Sequence, residues 1–177
     1  MIETVVESIR VSLVTQHRVV ILKEVGGDRH LPIWIGPFEA EAIAMELQSM
    51  SSARPLPYDL MRTIITDMGG TVRQVLVTDL SNDVFYARIV LDHDGQEIEV
   101  DSRPSDAIAL AVRVKVPILV EETVMDRAGV SLEHESDEEE APERESVKGE
   151  EATGDLSVFR EFINSLDLDD FEKKRDN

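Results

Sequence analysis

Between residues 101 and 106 the chain reads Asp-Ser-Arg-Pro-Ser-Asp, placing two carboxylates, two hydroxyls and one guanidinium within a single turn's reach. A strand signal enters this segment and a helix signal leaves it at Pro104, so these groups fall at a strand-to-helix junction. At such a junction the first-turn N–H groups lack intrahelical partners and the helix dipole favours negative charge, which suits a phosphate. Arg103 could grip that phosphate through two hydrogen bonds. Carboxylate oxygens suit hard divalent ions, and a second helix start at Gly36-Pro37 supplies Glu39 and Glu41. The expected active groups are therefore Asp101, Arg103, Ser105 and Asp106. Asp101, Asp106, Glu39 and Glu41 form the expected ligand set for Mg²⁺ or Mn²⁺.

Each of these residues also has a plainer role. Ser, Asp and Pro gather at helix starts because they cap exposed N–H groups, and Asp106 could simply complement the dipole. A salt bridge from Arg103 to Asp106 or Glu41 would account for the guanidinium, and Glu39 and Glu41 could belong to a solvated helix face. Weaker candidates surround them. Asp92-His93-Asp94-Gly95 lacks the further acidic positions of a calcium loop and reads better as a hairpin turn. His17, His30, His93 and His134 never fall at metal-ligand spacing. Trp34 and Phe38 could stack a base, though core packing or a subunit contact explains them as well. Arg10, Arg73, Arg88, Arg113 and Lys115 could form a basic strip or only solvated strand edges.

The elements that must position these residues follow from hydrophobic period. Ile9, Val11 and Leu13 alternate as in a half-buried strand, and residues 19–25 and 31–35 form a hairpin across Gly26-Gly27-Asp28. A helix from Gly36-Pro37 has its core stripe at Ala40, Ile43, Ala44 and Leu47. Leu60, Met61, Ile64, Ile65 and Met68 predict a one-sided helix ended by Gly69-Gly70. Strands follow at 72–78, 84–91 and 98–100, the last two joined at Asp94-Gly95. The helix from Pro104 carries Ala107 through Val112, apolar all round, and is expected to be central. Pro117 stops it before a short strand at 118–120. Residues 18–47 overlay 83–112 without a gap, strand, turn, strand and helix on the same, so the chain reads as a duplicated β-hairpin-plus-helix unit in which Glu41 falls on Asp106. The fold class is α+β, a mainly antiparallel sheet packed against helices.

Charge divides the 177 residues further. Residues 1–130 hold 12 Lys and Arg against 20 Asp and Glu, while 131–177 hold 6 against 17, so most of the net -19 lies in the final quarter. Residues 131–154 offer almost nothing to bury and read as an acidic disordered linker. Leu156, Phe159, Phe162, Ile163 and Leu166 then mark a short amphipathic helix within 155–177, too short to be stable undocked. The absence of cysteine excludes disulfides, zinc–thiolate sites and thiol nucleophiles. No secretory leader or membrane span is visible, so a cytoplasmic protein is expected. Net negative charge disfavours nonspecific nucleic-acid binding, which would need a local basic patch or a bound cation.

Three segments, residues 31–47 (LPIWIGPFEAEAIAMEL), 78–89 (TDLSNDVFYARI) and 100–122 (VDSRPSDAIALAVRVKVPILVEE), together resemble the bifunctional nuclease family of bacteria and plants. The resemblance covers residues 1 to about 130. It implies an α+β fold and cleavage of phosphodiester bonds in DNA and RNA, with a divalent cation to neutralise charge and activate water. The competing expectation is a non-catalytic module, a homo-oligomer that binds an anionic ligand or a protein partner through the same junction.

Overall fold

The computed structural model describes residues 1–11 and 17–131. Alternating burial lays down the first strand, β1 (Ile2–Val11), in which Ile2 and Thr4 point inward between exposed Glu3 and Val5. It pairs antiparallel with β2 (Arg18–Glu24), and β2 with β3 (Arg29–Ile35), giving a meander followed by helix α1 (Pro37–Leu47). After α2 (Pro57–Asp67) the pattern repeats: β4 (Gly70–Ser81), β5 (Val84–His93) and β6 (Gln96–Ser102) form a second antiparallel meander, and α3 (Pro104–Val114) follows it. Short elements close the chain, β7 (Ile118–Val120), α4 (Glu122–Ala128) and β8 (Val130–Ser131).

These strands make one sheet in the order β6-β5-β4-β7-β1-β2-β3-β8. β7 sits between the meanders, parallel to β4 and antiparallel to β1. The two meanders therefore run in opposite senses about β7, as a pseudo-twofold duplication requires. The repeating unit is larger than the expected hairpin and helix, because β1 and β4 join each copy as a third strand. The helices begin at Pro37 and Pro104, which sets Glu39, and not Glu41, in the position of Asp106.

The core lies between the sheet and its helices. Val20, Leu22, Leu31, Ile33, Val75, Val77, Ala87 and Ile89 meet Ile43, Ile108 and Leu110. α3 is buried nearly all round, as its uninterrupted apolar run predicts. α2 differs from expectation. It buries Tyr58 and half-buries Met61 and Ile65, while Leu60, Ile64 and Met68 stay exposed. Only one edge of its apolar stripe is needed against α3 and β4, and the rest faces outward. On α1, Ala40, Ala42 and Ile43 are buried but Leu47, in the last turn, is not. Among the described residues no helix is long and apolar enough to cross a membrane. Ser131, the first residue of the expected linker, ends β8, while Leu13, the rest of that linker (132–154) and the expected short helix within 155–177 lie outside the described residues.

Candidate functional site

The starts of α1 and α3 are built alike. Each has Pro at the first helical position and a non-helical residue before it, Gly36 or Arg103, with no side-chain bond capping the helix. Pro fixes the backbone angle a helix start needs and gives up an N–H that would have no partner. Neither serine near α3 acts as a cap: Ser102 Oγ donates to the Arg103 carbonyl at 3.0 Å, and Ser105 is buried in the first turn.

Packing of α1 beside α3 brings Glu39 to Arg103. The guanidinium Nη2 donates to Glu39 Oε1 at 2.8 Å and to Asp106 Oδ1 at 3.1 Å, while Nε donates to Asp106 Oδ2 at 2.7 Å. None of these bonds uses Nη1. Arg103 is two-thirds exposed, whereas Glu39 and Asp106 keep 14% and 23% of their side-chain surface. The cation thus lies on the outside of the cluster and the carboxylates are set into it. Bonds to Asp106 and then Glu39 raise the Arg103 pKa, so the guanidinium is charged at every accessible pH.

Tyr58 completes the cluster from beneath. Its hydroxyl donates to Asp106 Oδ1 at 2.8 Å. Burial first, and then this bond to a carboxylate, push the phenol well above the ordinary tyrosine value, so it remains a donor. The ring lies against the Arg113 guanidinium, 5.3 Å from its centroid. Arg113 is buried on α3 and donates through Nε to Asp59 Oδ1 at 3.0 Å and through Nη1 to the Ala109 carbonyl at 3.1 Å. Asp59 also accepts from the Leu56 N–H at 2.8 Å, which ties the start of α2 into the same network.

Of the residues expected from sequence, Glu39, Arg103 and Asp106 converge, and Ser105 stands in the turn that carries them. Asp101 does not join them. It precedes Ser102, whose cross-strand partner Ala87 faces the core, so strand alternation turns Asp101 to the opposite face of the sheet, across from Arg88. Glu41 is exposed and lines a separate groove with Phe38, Ala44, Ile9 and Val11. The four carboxylates expected to share a cation are accordingly split, and among the described residues no three acidic or imidazole groups converge as metal ligands. The pair that does converge, Glu39 and Asp106, is of the hard-oxygen type that holds Mg²⁺ or Mn²⁺ when substrate phosphate and water complete the shell.

Tyr58 is not among the expected residues, and Arg113, weighed from sequence for a basic strip or a solvated strand edge, is instead buried on α3 beneath the cluster. Nothing local marks Tyr58, which reaches Asp106 from 48 residues away. Asp92 and Asp94 behave as turn residues: Asp92 Oδ1 accepts from the Gly95 N–H at 3.2 Å, and Asp94 and Gly95 both adopt positive φ.

Comparison with known proteins identifies the family. The model of the bifunctional nuclease domain matches residues 20–133. An uncharacterized Mycobacterium tuberculosis protein is 42% identical over 170 residues, which is 96% of this chain and 98% of that one. Bifunctional nuclease 1 of Oryza sativa subsp. japonica is 33% identical over 119 residues, covering 66% of this chain but only 36% of the plant protein. Bifunctional nuclease 2 of Arabidopsis thaliana is 34% identical over 108 residues, 59% of this chain and 33% of that one. The matched domain, residues 20–133, covers more than half of the chain and holds both meanders' helices, so the chain belongs to the bifunctional nuclease domain family.

Proposed function

We propose that the junction of α1 and α3 is a phosphodiester-cleaving site for nucleic acid, with Arg103 as its phosphate anchor. The observation that carries this reading is the exposed guanidinium, held by Glu39 and Asp106 between two uncapped helix starts. An incoming phosphate competes for Arg103, and the first-turn N–H groups and helix dipoles favour its charge. Transfer of the guanidinium to the phosphate frees Glu39 and Asp106. One of them then accepts a proton from the attacking water as its oxygen bonds to phosphorus, and the bond to the ester oxygen breaks, that oxygen taking a proton from solvent water as it leaves. A bound Mg²⁺ or Mn²⁺ would add charge neutralisation and a more acidic water. Tyr58 holds Asp106 in place throughout.

The nuclease names of the plant relatives support the reaction class. The test is cleavage of end-labelled single-stranded DNA and RNA by highly purified chain, with and without EDTA, beside Arg103→Ala, Asp106→Asn and Asp101→Asn. Loss of cutting by roughly a hundredfold is expected for the first two, the scale of one positioned acid–base group. Asp101→Asn, on the other face, is expected to retain most activity. Equal cutting by all four proteins would mean a contaminant and overturn the reading. In that case phosphate-dependent protection of Arg103 would distinguish a binding module from a site with no ligand.

A further inference from the structure

We propose that β6 is a docking edge for an extended protein segment whose side chains alternate between basic and apolar. β6 is the outermost strand of its half of the sheet. The turn before it fixes which of its backbone groups are free. Asp94 and Gly95, at φ 54° and 76°, form a two-residue hairpin turn, so the flanking pair His93 and Gln96 exchanges both backbone hydrogen bonds. The register continues without a bulge, and bonded pairs recur at every second residue, at Ile98, Val100 and Ser102. The N–H and C=O groups of Glu97, Glu99 and Asp101 therefore point away from β5, and among the described residues no strand takes them.

Side chains make the edge selective. Ile98 and Val100 lie on the helix-bearing side, opposite Leu91 and Ile89, yet are 43% and 41% exposed. An apolar residue on an added strand would cover the open margin of the core there. On the other side Glu97, Glu99 and Asp101 form a carboxylate row, of which Glu99 pairs with Arg88. Proteins commonly blunt sheet edges with charged side chains, proline, bulges or very short strands. β6 has seven residues, no proline and no bulge, and only its carboxylates guard it, so it is closed to like charge and open to a basic strand; the opposite edge, β8, has two residues.

The same charges choose the occupant. A second copy pairing antiparallel through β6 would set three carboxylates against three, and like charges opposed across strands destabilise. A nucleic-acid backbone would be repelled by the same row. Lys or Arg at alternate positions of a partner strand would instead meet Glu97, Glu99 and Asp101 while the intervening residues cover Ile98 and Val100, the pattern of strand addition. This inference stands apart from the cleavage reading and does not use Arg103.

The probe is a seven-residue peptide of alternating Lys and Val, with an alternating Glu and Val peptide as its counterpart. The full chain carries a net charge of -19 and attracts any cation, so binding alone decides nothing. Amide hydrogen exchange resolved at Glu97, Glu99 and Asp101 is the readout. The lysine peptide is expected to slow all three by about tenfold at 0.15 M salt, the glutamate peptide to leave them unchanged. Glu99→Pro removes an outward N–H without touching a β5 bond and should abolish the effect, while Glu99→Gln, which keeps that N–H, should retain most of it. No protection by the lysine peptide, or protection that survives Glu99→Pro, overturns the proposal. Protection that rises with chain concentration in the absence of peptide would assign the edge to a second copy and overturn it equally.

Discussion

Replacing Arg113 by Met tests whether the platform under the Arg103 cluster is held as the bonds suggest. Methionine keeps the buried aliphatic stem but removes three things: the Nε bond to Asp59, the Nη1 bond to the Ala109 carbonyl, and the cation over the Tyr58 ring. Breaking a buried ion pair from one side costs about 3–5 kcal/mol. Two features lower that figure here. Asp59 keeps 27% of its side-chain surface, so water can reach the orphaned carboxylate, and the Leu56 N–H still donates to it. About 3 kcal/mol is the expected loss, with the contribution of the buried cation over Tyr58 included in it. For a domain this size a urea m-value of about 1.5 kcal/mol per molar converts that loss to a midpoint shift of about 2 M. Far-UV circular dichroism in urea measures it, with the m-value unchanged. A midpoint within 0.3 M of the parent, or about the size of the error in such fits, would refute the reasoning, since Arg113 would then contribute no more than its stem.

Further predictions concern the cluster, the sheet edge and the acid limb. Tyr58→Phe removes the donor to Asp106 and should lower stability by about 1.5 kcal/mol by thermal or urea unfolding, the scale of a hydrogen bond to a charged group. Because the folded-state pKa of Tyr58 lies above its unfolded value, the stability it contributes is present below about pH 10 and lost as pH rises through the alkaline range. Stability measured against pH should therefore fall above pH 10 in the parent and flatten in Tyr58→Phe. Gly95→Ala should cost about 1 kcal/mol by backbone strain alone, because its φ is 76° and no atom lies within 4 Å of the added methyl. Arg29 bonds Glu24, Glu122 and Asp126, and its bond to Glu24 holds that carboxyl below the usual range. A depressed carboxyl contributes stability above its unfolded value that is lost on acidification, so Arg29→Ala should move the acid-unfolding midpoint to higher pH.

Much of this architecture is legible in residue spacing because local rules decide it. Gly26-Gly27 and Asp94-Gly95 make hairpins, Pro37 and Pro104 open helices, and the all-round apolar run of α3 marks the central helix. What local rules could not supply is which face of an element finds a neighbour. The stripe on α2 looks wholly internal, yet Leu60, Ile64 and Met68 are left outside because only α3 and β4 pack against it. α4 has too few residues and too ordinary a start to stand out. The site shows the same division. Glu39, Arg103 and Asp106 could be nominated from type and position, but the duplication as read from the sequence set Glu41 opposite Asp106, two residues past the true correspondence. Asp101 was placed with them by nearness in the chain, and strand alternation sends it to the other side. Tyr58 required the tertiary fold, since its distance from Asp106 along the chain hides the contact.

The position of β7 carries a consequence for how the molecule is made. Three residues near the end of the domain join its two halves, with Thr4 donating to the Ile118 carbonyl at the seam. During synthesis the first meander leaves the ribosome long before its linking partner exists, and until residue 120 emerges both inner strands are open borders. Closure at so large a sequence separation is intrinsically slow. The nascent chain therefore carries two bare inner edges until its last strand arrives.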